Sequence, residues 1–257
     1  MNHIYISVVS HNHIETIKST NALKELAASN NITVVVKENT PQDNSDYFES
    51  IGVTYLNNPD HYFLGFGDNN NYVYEYCEEN LNIDGGDTFI VCNPDVFITL
   101  DEVLKLNNII TELGFNISTI NLYRDYDLKV HDNSVRRFPS FISLCYSLIF
   151  RRNSTIYNKE EINDFLDVDW AAGSFLAFRS SHYKNLNGFD KRYFMYCEDI
   201  DICFRSSMIG HRVKYIPMIR ATHLAQHENR NVLSKHFVWH VSSALKFLVR
   251  KFYYDIK

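Results

Sequence analysis

No C-x-x-C pair occurs in this chain of 257 residues, and its five cysteines (Cys77, Cys92, Cys145, Cys197, Cys203) are odd in number. That spacing argues against a thiolate metal centre and predicts reduced thiols in a cytosolic protein. No run reaches the roughly 18–20 apolar residues of a membrane span. The first strand-like run begins near Ile4, which leaves no space for a cleavable leader. Internal repeats, linkers and low-complexity stretches are missing. So are the dinucleotide pattern GxGxxG and the lysine of a P-loop. A basic triphosphate loop after the first strand, the mark of a nucleotidyltransferase, is missing as well. His223 and His227 are spaced HxxxH without the Glu of a zinc protease.

What is present is acid in an unusual place. Tyr193-Phe194-Met195-Tyr196-Cys197-Glu198-Asp199-Ile200-Asp201 sets three carboxylates into an apolar, aromatic run. Like charges held close raise each other's pKa, which makes a candidate general base. The alternative is a helix start, where acidic residues are favoured. A second acidic signature, Asn93-Pro94-Asp95, follows a strand-like run. It reads either as a type I turn or as a carboxylate that holds a divalent cation against a diphosphate.

With 45% hydrophobic residues the chain can bury a sizeable core. The net charge of -6 is uneven: from Arg205 to Lys257 there are ten Lys and Arg against two Asp and Glu. A basic tail on an acidic body predicts an anionic partner for the tail. From residue 231 onward the pattern reads as one helix. Phe237, Val241, Ala244, Leu245, Leu248 and Phe252 are at helical spacing, flanked by Lys235, Lys246, Arg250, Lys251 and Lys257. Such a helix either lies on a bilayer surface or packs on its own domain.

Strands are predicted at 4–10, 32–37, 53–56, 88–92, 117–123, 168–178 after a turn, and 213–216. Helices are predicted up to about Ala28, over 69–79 and over 200–209, with Gly210 past the end of the last. The stretch between Arg136-Arg137 and Arg151-Arg152 has no clear period. Alternating strands and helices imply an α/β fold with a mostly parallel sheet flanked by helices. Ligands of such sheets sit beyond the carboxyl ends of the strands, which groups Ser10, His11, Glu38, Asn39, Asn93 and Asp95. Gly65-Phe66-Gly67-Asp68-Asn69-Asn70-Asn71 opens a helix and reads as a phosphate-facing turn or as a plain N-cap.

In order, the chain shows a first strand ending Ser10-His11, a turn after the second strand at Glu38-Asn39 and Gly65-Phe66-Gly67 with its asparagines. Asn93-Pro94-Asp95, Trp170-Ala171-Ala172-Gly173-Ser174-Phe175, Gly188-Phe189-Asp190 and Glu198-Asp199-Ile200-Asp201 follow. This order resembles glycosyltransferase family 2, the inverting sugar-nucleotide-dependent enzymes of GT-A fold. With Ser134-Val135-Arg136-Arg137-Phe138-Pro139 added, it looks most like bacterial rhamnosyltransferases that act on N-acetylglucosaminyl-diphospho-undecaprenol in O-antigen assembly. The family's Asp-x-Asp metal motif has Asn93 in its first place, and the family's frequent Asp after the second strand is Glu38.

The resemblance implies a GT-A domain over 1–230, with a nucleotide-sugar half (1–100) and an acceptor half (101–230), followed by a basic amphipathic helix over 231–257. It implies transfer of L-rhamnose from dTDP-β-L-rhamnose to GlcNAc on a polyprenyl diphosphate. Asp199 is then the base, with Glu198 in reserve and Asp201 ordering the site. Asp95 and His223 would hold Mg2+ or Mn2+. Ser10, Glu38 and Asn39 would line the thymidine pocket and Gly67 and Asn71 border the nucleotide sugar, with His11 and Asn93 also among the residues that bind the sugar nucleotide. Trp170 and Gly173 would face the acceptor sugar, and Arg136 and Arg137 its diphosphate. The basic helix would hold the protein at the inner face of the cytoplasmic membrane. The rivals are a family 2 transferase with another donor, such as a UDP-hexose, and a non-catalytic nucleotide-sugar-binding protein.

Overall fold

A run of seven residues buried on both faces, β1 (Ile4–Ser10), lies at the heart of the molecule. A strand covered on both faces is the mark of a parallel sheet packed between helices, and its Ile and Val content suits that environment. The computed structural model describes residues 2–142, 155–224 and 235–255. Arg151-Arg152, His227 and the ends of the basic tail lie outside the described residues, as do the side chains of Lys235 and Phe237.

β2 (Ile32–Glu38) and β4 (Thr88–Cys92) flank β1 in parallel, and β3 (Thr54–Leu56) extends the sheet beyond β2. The chain thus leaves β1 in one direction for β2 and β3, then returns to its other side. In sheets with such a reversal, ligands bind beyond the carboxyl ends of the strands on either side of it, here β1 and β4. On the far side, β10 (Phe175–Arg179) runs antiparallel between β4 and β6 (Ile117–Tyr123). β11 (Val213–His223) is parallel to β6, with antiparallel neighbours β5 (Val96–Phe97) and β8 (Leu166–Val168). One sheet of nine strands therefore draws on both halves of the chain. β7 (Val135–Arg136) and β9 (Trp170–Ala171) form a separate ribbon. β11 runs seven residues beyond the predicted strand. Its register with β6 shifts between Ile216 and Arg220, around Pro217, which has no N–H to give the ladder.

The helix predicted up to Ala28 is two short ones, α1 (Ile14–Lys18) and α2 (Ala22–Ala27). After α3 (Ser45–Ser50) comes α4 (Phe66–Asn80), which begins three residues earlier than predicted, with Gly65 as its N-cap. α5 (Leu100–Leu113), missed in the sequence, is capped by the Thr99 side chain and closed by Gly114 in the left-handed region. α6 (Ser180–Asn185) precedes α7 (Glu198–Met208), which starts two residues earlier than predicted. α8 (Lys235–Asp255) is the described part of the basic tail. Its inner residues Ala244, Phe247 and Leu248 are buried in the larger core beside Phe204 and Phe138. The helix thus packs on its own domain.

Candidate active site

At the carboxyl end of β1, Ser10 Oγ donates to Glu38 Oε2 at 2.7 Å. The same buried carboxylate accepts from the Asn12, Asn39 and Thr40 amides and from Thr40 Oγ1. Asn39 donates to Leu64 O and is 2.7 Å from His11 Nε2; its Oδ1 accepts from Lys37 Nζ and the Leu64 amide. Ser10, His11, Glu38 and Asn39 are therefore together, but as a scaffold. Glu38 and Asn39 thus tie the loop after β2 to the end of β1 and, through Leu64, to the turn before α4.

The turn after β4 closes through the Val96 amide to Asn93 O at 3.1 Å, so Asn93-Pro94-Asp95 is a turn. It is also more. β5 pairs with the end of β11, His223 opposite Val96, and this brings His223 Nε2 to 3.5 Å from Asp95 Oδ1. The other ring nitrogen, Nδ1, is 2.5 Å from Asp132 Oδ2. Burial disfavours an imidazolium, but the two carboxylates outweigh it and push His223 up to about 9. Burial would raise Asp95; the hydrogen bond and charge of His223, helped by His13, hold it below the ordinary carboxylate range. Asp132 follows the same logic. Asp132 and His13 escaped the sequence reading. Both sit in irregular loops, and only the fold brings them to this edge.

The second acidic segment meets the first through the turn before β10. The Asn93 amide donates to Ser174 O at 3.0 Å, and the Gly173 amide donates to Asp199 Oδ2 at 3.1 Å. Asp199 Oδ1 accepts from the Ile200 amide. Burial raises both Asp199 and its neighbour Glu198 above the usual carboxylate range. The two differ in support. Asp199 has two backbone donors and the nearby Arg136 charge, whereas Glu198 Oε2 is buried without a partner. Closely coupled acids in unequal settings divide into one ionised and one protonated group. Of the two, Asp199 has the better-supported carboxylate, and burial without a partner favours the neutral form of Glu198.

Asp201 does not join them. It is fully buried on the other side of α7, its Oδ2 accepting from Arg205 Nε at 2.7 Å and its Oδ1 from Arg250 on α8 at 2.5 Å. Residues two apart on a helix do not share a face. Gly67 and Asn71 also have other work. A Cβ on Gly67 would lie 2.7 Å from Phe189 Cβ. Asn71 donates to Phe189 O and accepts from Tyr183 Oη and the Phe189 amide. Both bind α4 to the segment that leads to Asp199. A Cβ on Gly65 would lie 2.2 Å from Phe194 O, so the α4 turn and that segment touch backbone to backbone.

On the ribbon, Arg136 is paired with Trp170 and its guanidinium lies 5.3 Å from the indole. Trp170 is buried and donates to Arg137 O, so its ring is not an open platform for a pyranose. Arg137 is exposed over Tyr157 at 4.5 Å. A cavity of about 540 Å³ opens beside this ribbon, lined by His131, Asp132, Tyr157 and Lys159 among others.

No protein-family model matches the chain. Among curated proteins, rhamnosyltransferase WbbL of Escherichia coli (strain K12) is 37% identical over 254 residues, 96% of this chain and 93% of that protein. The N-acetylglucosaminyl-diphospho-decaprenol L-rhamnosyltransferase of Mycobacterium tuberculosis (strain H37Rv) is 31% identical over 172 residues, 63% of this chain and 55% of that protein. Among solved structures, GalNAc-T7 with UDP, GalNAc and Mn2+ superposes with a TM-score of 0.62 at 12% identity, covering 95% of this chain and 47% of its own. The mannosyltransferase PcManGT from Pyrobaculum calidifontis, with GDP-Man and Mn2+, gives 0.56 at 12% identity, covering 96% and 64%. This chain therefore spans about half to two thirds of those two solved chains. At such identities the likeness is one of fold.

Proposed function

Since the chain belongs to the bacterial rhamnosyltransferases, glycosyltransferases of GT-A fold, we propose that it moves L-rhamnose from dTDP-β-L-rhamnose to GlcNAc on a polyprenyl diphosphate, with inversion. The observation that carries this reading is the meeting of the two acidic segments at the Gly173-Ser174 turn. One supplies a base and the other a site for the leaving diphosphate, and inverting transfer needs both.

In this reading Asp199 takes the proton of the acceptor hydroxyl as that oxygen attacks the anomeric carbon. The new C–O bond forms while the bond from that carbon to the diphosphate oxygen breaks, and dTDP leaves with the electron pair. The α-L-rhamnosyl product follows from inversion. Gly173 and Ile200 aim the Asp199 carboxylate through their amides. Glu198, kept neutral by burial, adds no competing charge beside it.

The donor set at Asp95 fits a divalent cation once that ion displaces the proton which Asp95 and Asp132 otherwise hold on the His223 ring. A carboxylate oxygen and an imidazole nitrogen lie 3.5 Å apart, and Asp132 fixes the far nitrogen of the ring, as carboxylates do behind metal-bound histidines. Among the described residues no cluster of three or more His, Cys, Asp and Glu forms a full cage. Asp95 and His223 would therefore hold Mg2+ or Mn2+ jointly with phosphate oxygens, the usual manner of Mg2+. When bound, the ion would neutralise charge on the departing diphosphate.

The outer face of α8 exposes Leu245, Val249, Phe252 and Tyr253, at i, i+4, i+7 and i+8, beside Lys246 and Lys251. No helix among the described residues is long and apolar enough to cross a membrane. An apolar stripe flanked by lysines suits the surface of an anionic bilayer, and in this reading it holds the protein at the inner face of the cytoplasmic membrane, where the lipid-linked acceptor resides.

The deciding experiment incubates the protein with a synthetic GlcNAc-diphospho-lipid and a panel of dTDP-rhamnose, UDP-hexoses and GDP-mannose. A rhamnosylated lipid from dTDP-rhamnose alone is the expected product. Preferred use of a UDP-hexose would transfer the reading to another donor, and donor binding without any product would make the protein a non-catalytic binder.

A further inference from the structure

The segment that delivers the catalytic acids is strained. Tyr196 and Cys197, directly before α7, have φ of 70° and 65°. Two successive non-glycine residues in the left-handed region persist only where their surroundings enforce it. The surroundings here come largely from α8. Phe194 packs on Trp239 at 5.0 Å and Tyr196 on His240 at 5.3 Å. Ser243 Oγ donates to Met195 O at 3.0 Å, and Lys246 Nζ to Arg192 O at 3.0 Å. One nitrogen of Arg250 donates to both Asp190 Oδ2 at 3.0 Å and Asp201 Oδ1 at 2.5 Å. α8 thus grips the segment at residues 190, 192, 194, 195 and 196, then grips α7 itself two residues beyond Asp199.

We propose that α8 is a positioning element for the catalytic pair, with Arg250 and Ser243 as its positioning residues. The inference rests on the reading of Asp199 as the base. It differs from membrane attachment, because the contacts of Ser243 and Arg250 lie on the inner face of the helix, Lys246 borders both faces, and the exposed apolar residues lie on the outer one. If α8 served only to attach the protein to lipid, its inner contacts would not matter to turnover in solution.

The test uses the full chain, dTDP-rhamnose and a short-chain, water-soluble GlcNAc-diphospho-lipid, without vesicles. Arg250→Ala is expected to lower kcat about 10- to 100-fold, the scale of a misplaced catalytic group, with both KM values within about two-fold. Arg250→Lys is expected to keep kcat within about three-fold, since one ammonium can serve both carboxylates that the single guanidinium nitrogen serves. Hydrogen exchange supplies a readout free of substrate. Amides of residues 193–199 should exchange faster in Arg250→Ala and Ser243→Ala, while those of β1, β2 and β4 keep their protection. Should Arg250→Ala fail to fold, Ser243→Ala carries the exchange and kinetic measurements. Unchanged kcat with unchanged exchange at 193–199 overturns the proposal. So does an equal loss with alanine and lysine at 250. If the wild-type chain transfers no rhamnose, the functional reading falls, while the exchange data still decide whether α8 holds the segment.

Discussion

Gly173 presents its amide to Asp199 Oδ2 at 3.1 Å, and it can come that close because it has no side chain. A Cβ at that position would stand 2.8 Å from the Phe66 ring and 3.7 Å from Asp199 Cβ. The base is thus aimed by a backbone group. Asp199→Asn is expected to fold, to bind dTDP as tightly as wild type, and to lose transfer by about two to four orders of magnitude. Glu198→Gln, which replaces a buried neutral acid by a neutral amide, is expected to retain most of the rate. Steady-state kinetics of both variants check the division of roles; the reverse order of losses would make Glu198 the base.

Asp132 fixes the histidine that faces Asp95. Asp132→Asn is expected to weaken binding of the divalent cation about 10- to 100-fold, the usual effect of losing a carboxylate behind a metal-bound imidazole. Calorimetric titration of Mn2+ in the presence of dTDP measures it without any need for turnover.

Gly65 touches the Phe194 carbonyl so closely that a Cβ would lie 2.2 Å from that oxygen. The obstacle is backbone, which cannot swing aside. Gly65→Ala is expected to cost about 1–3 kcal/mol in urea unfolding, as overpacking does, and to lower kcat by disturbing the residues before Asp199.

Asp190 is held well below the ordinary carboxylate range by its hydrogen bonds to Arg192 and by the charges of Arg192 and Arg250. A depressed carboxylate adds stability that is complete above its unfolded pKa of about 4 and fades as pH falls through the folded value. The docking of α8 should therefore loosen below about pH 4. Trp239 sits against Phe194 in that contact, so its fluorescence in a Trp170→Phe background is expected to shift in that acid window and to stay constant from there to neutrality.

The outer face of α8 supplies a separate prediction. Replacing exposed Leu245 and Val249 together by Ser should reduce sedimentation with anionic vesicles about ten-fold or more, because each loses its buried apolar area at the interface. Phosphatidylcholine vesicles provide the uncharged comparison, and equal sedimentation of the double variant and wild type would remove the lipid-surface role of this face.

Much of this arrangement was legible in the sequence because it rests on local chemistry. The β-branched run at 4–10 reads as a buried strand and those at 88–92 and 117–123 as strands; all three are strands buried along their length, and the acids that follow such runs group at the carboxyl edge. What stayed hidden depends on partners far along the chain. Asp132 sits in an irregular loop and gains its role only from a histidine 91 residues away. Asn71 looked like a ligand-facing amide, yet it satisfies backbone groups 118 residues distant. Asp201 stands beside Asp199 in sequence, but α7 begins at Glu198, so the two acids fall on different faces of the helix.

β10 runs against its neighbours between β4 and β6, although it is made after both. A chain ending at residue 140 would lack β10, so the edges of β4 and β6 that pair with it would have no strand between them. The turn that bonds Asn93 and Asp199 arrives with the same late strand. Recombining the first half of this protein with the second half of a relative would therefore require matching three strands at once, which makes the two halves poor candidates for shuffling even though the proposed base and diphosphate site come from different halves.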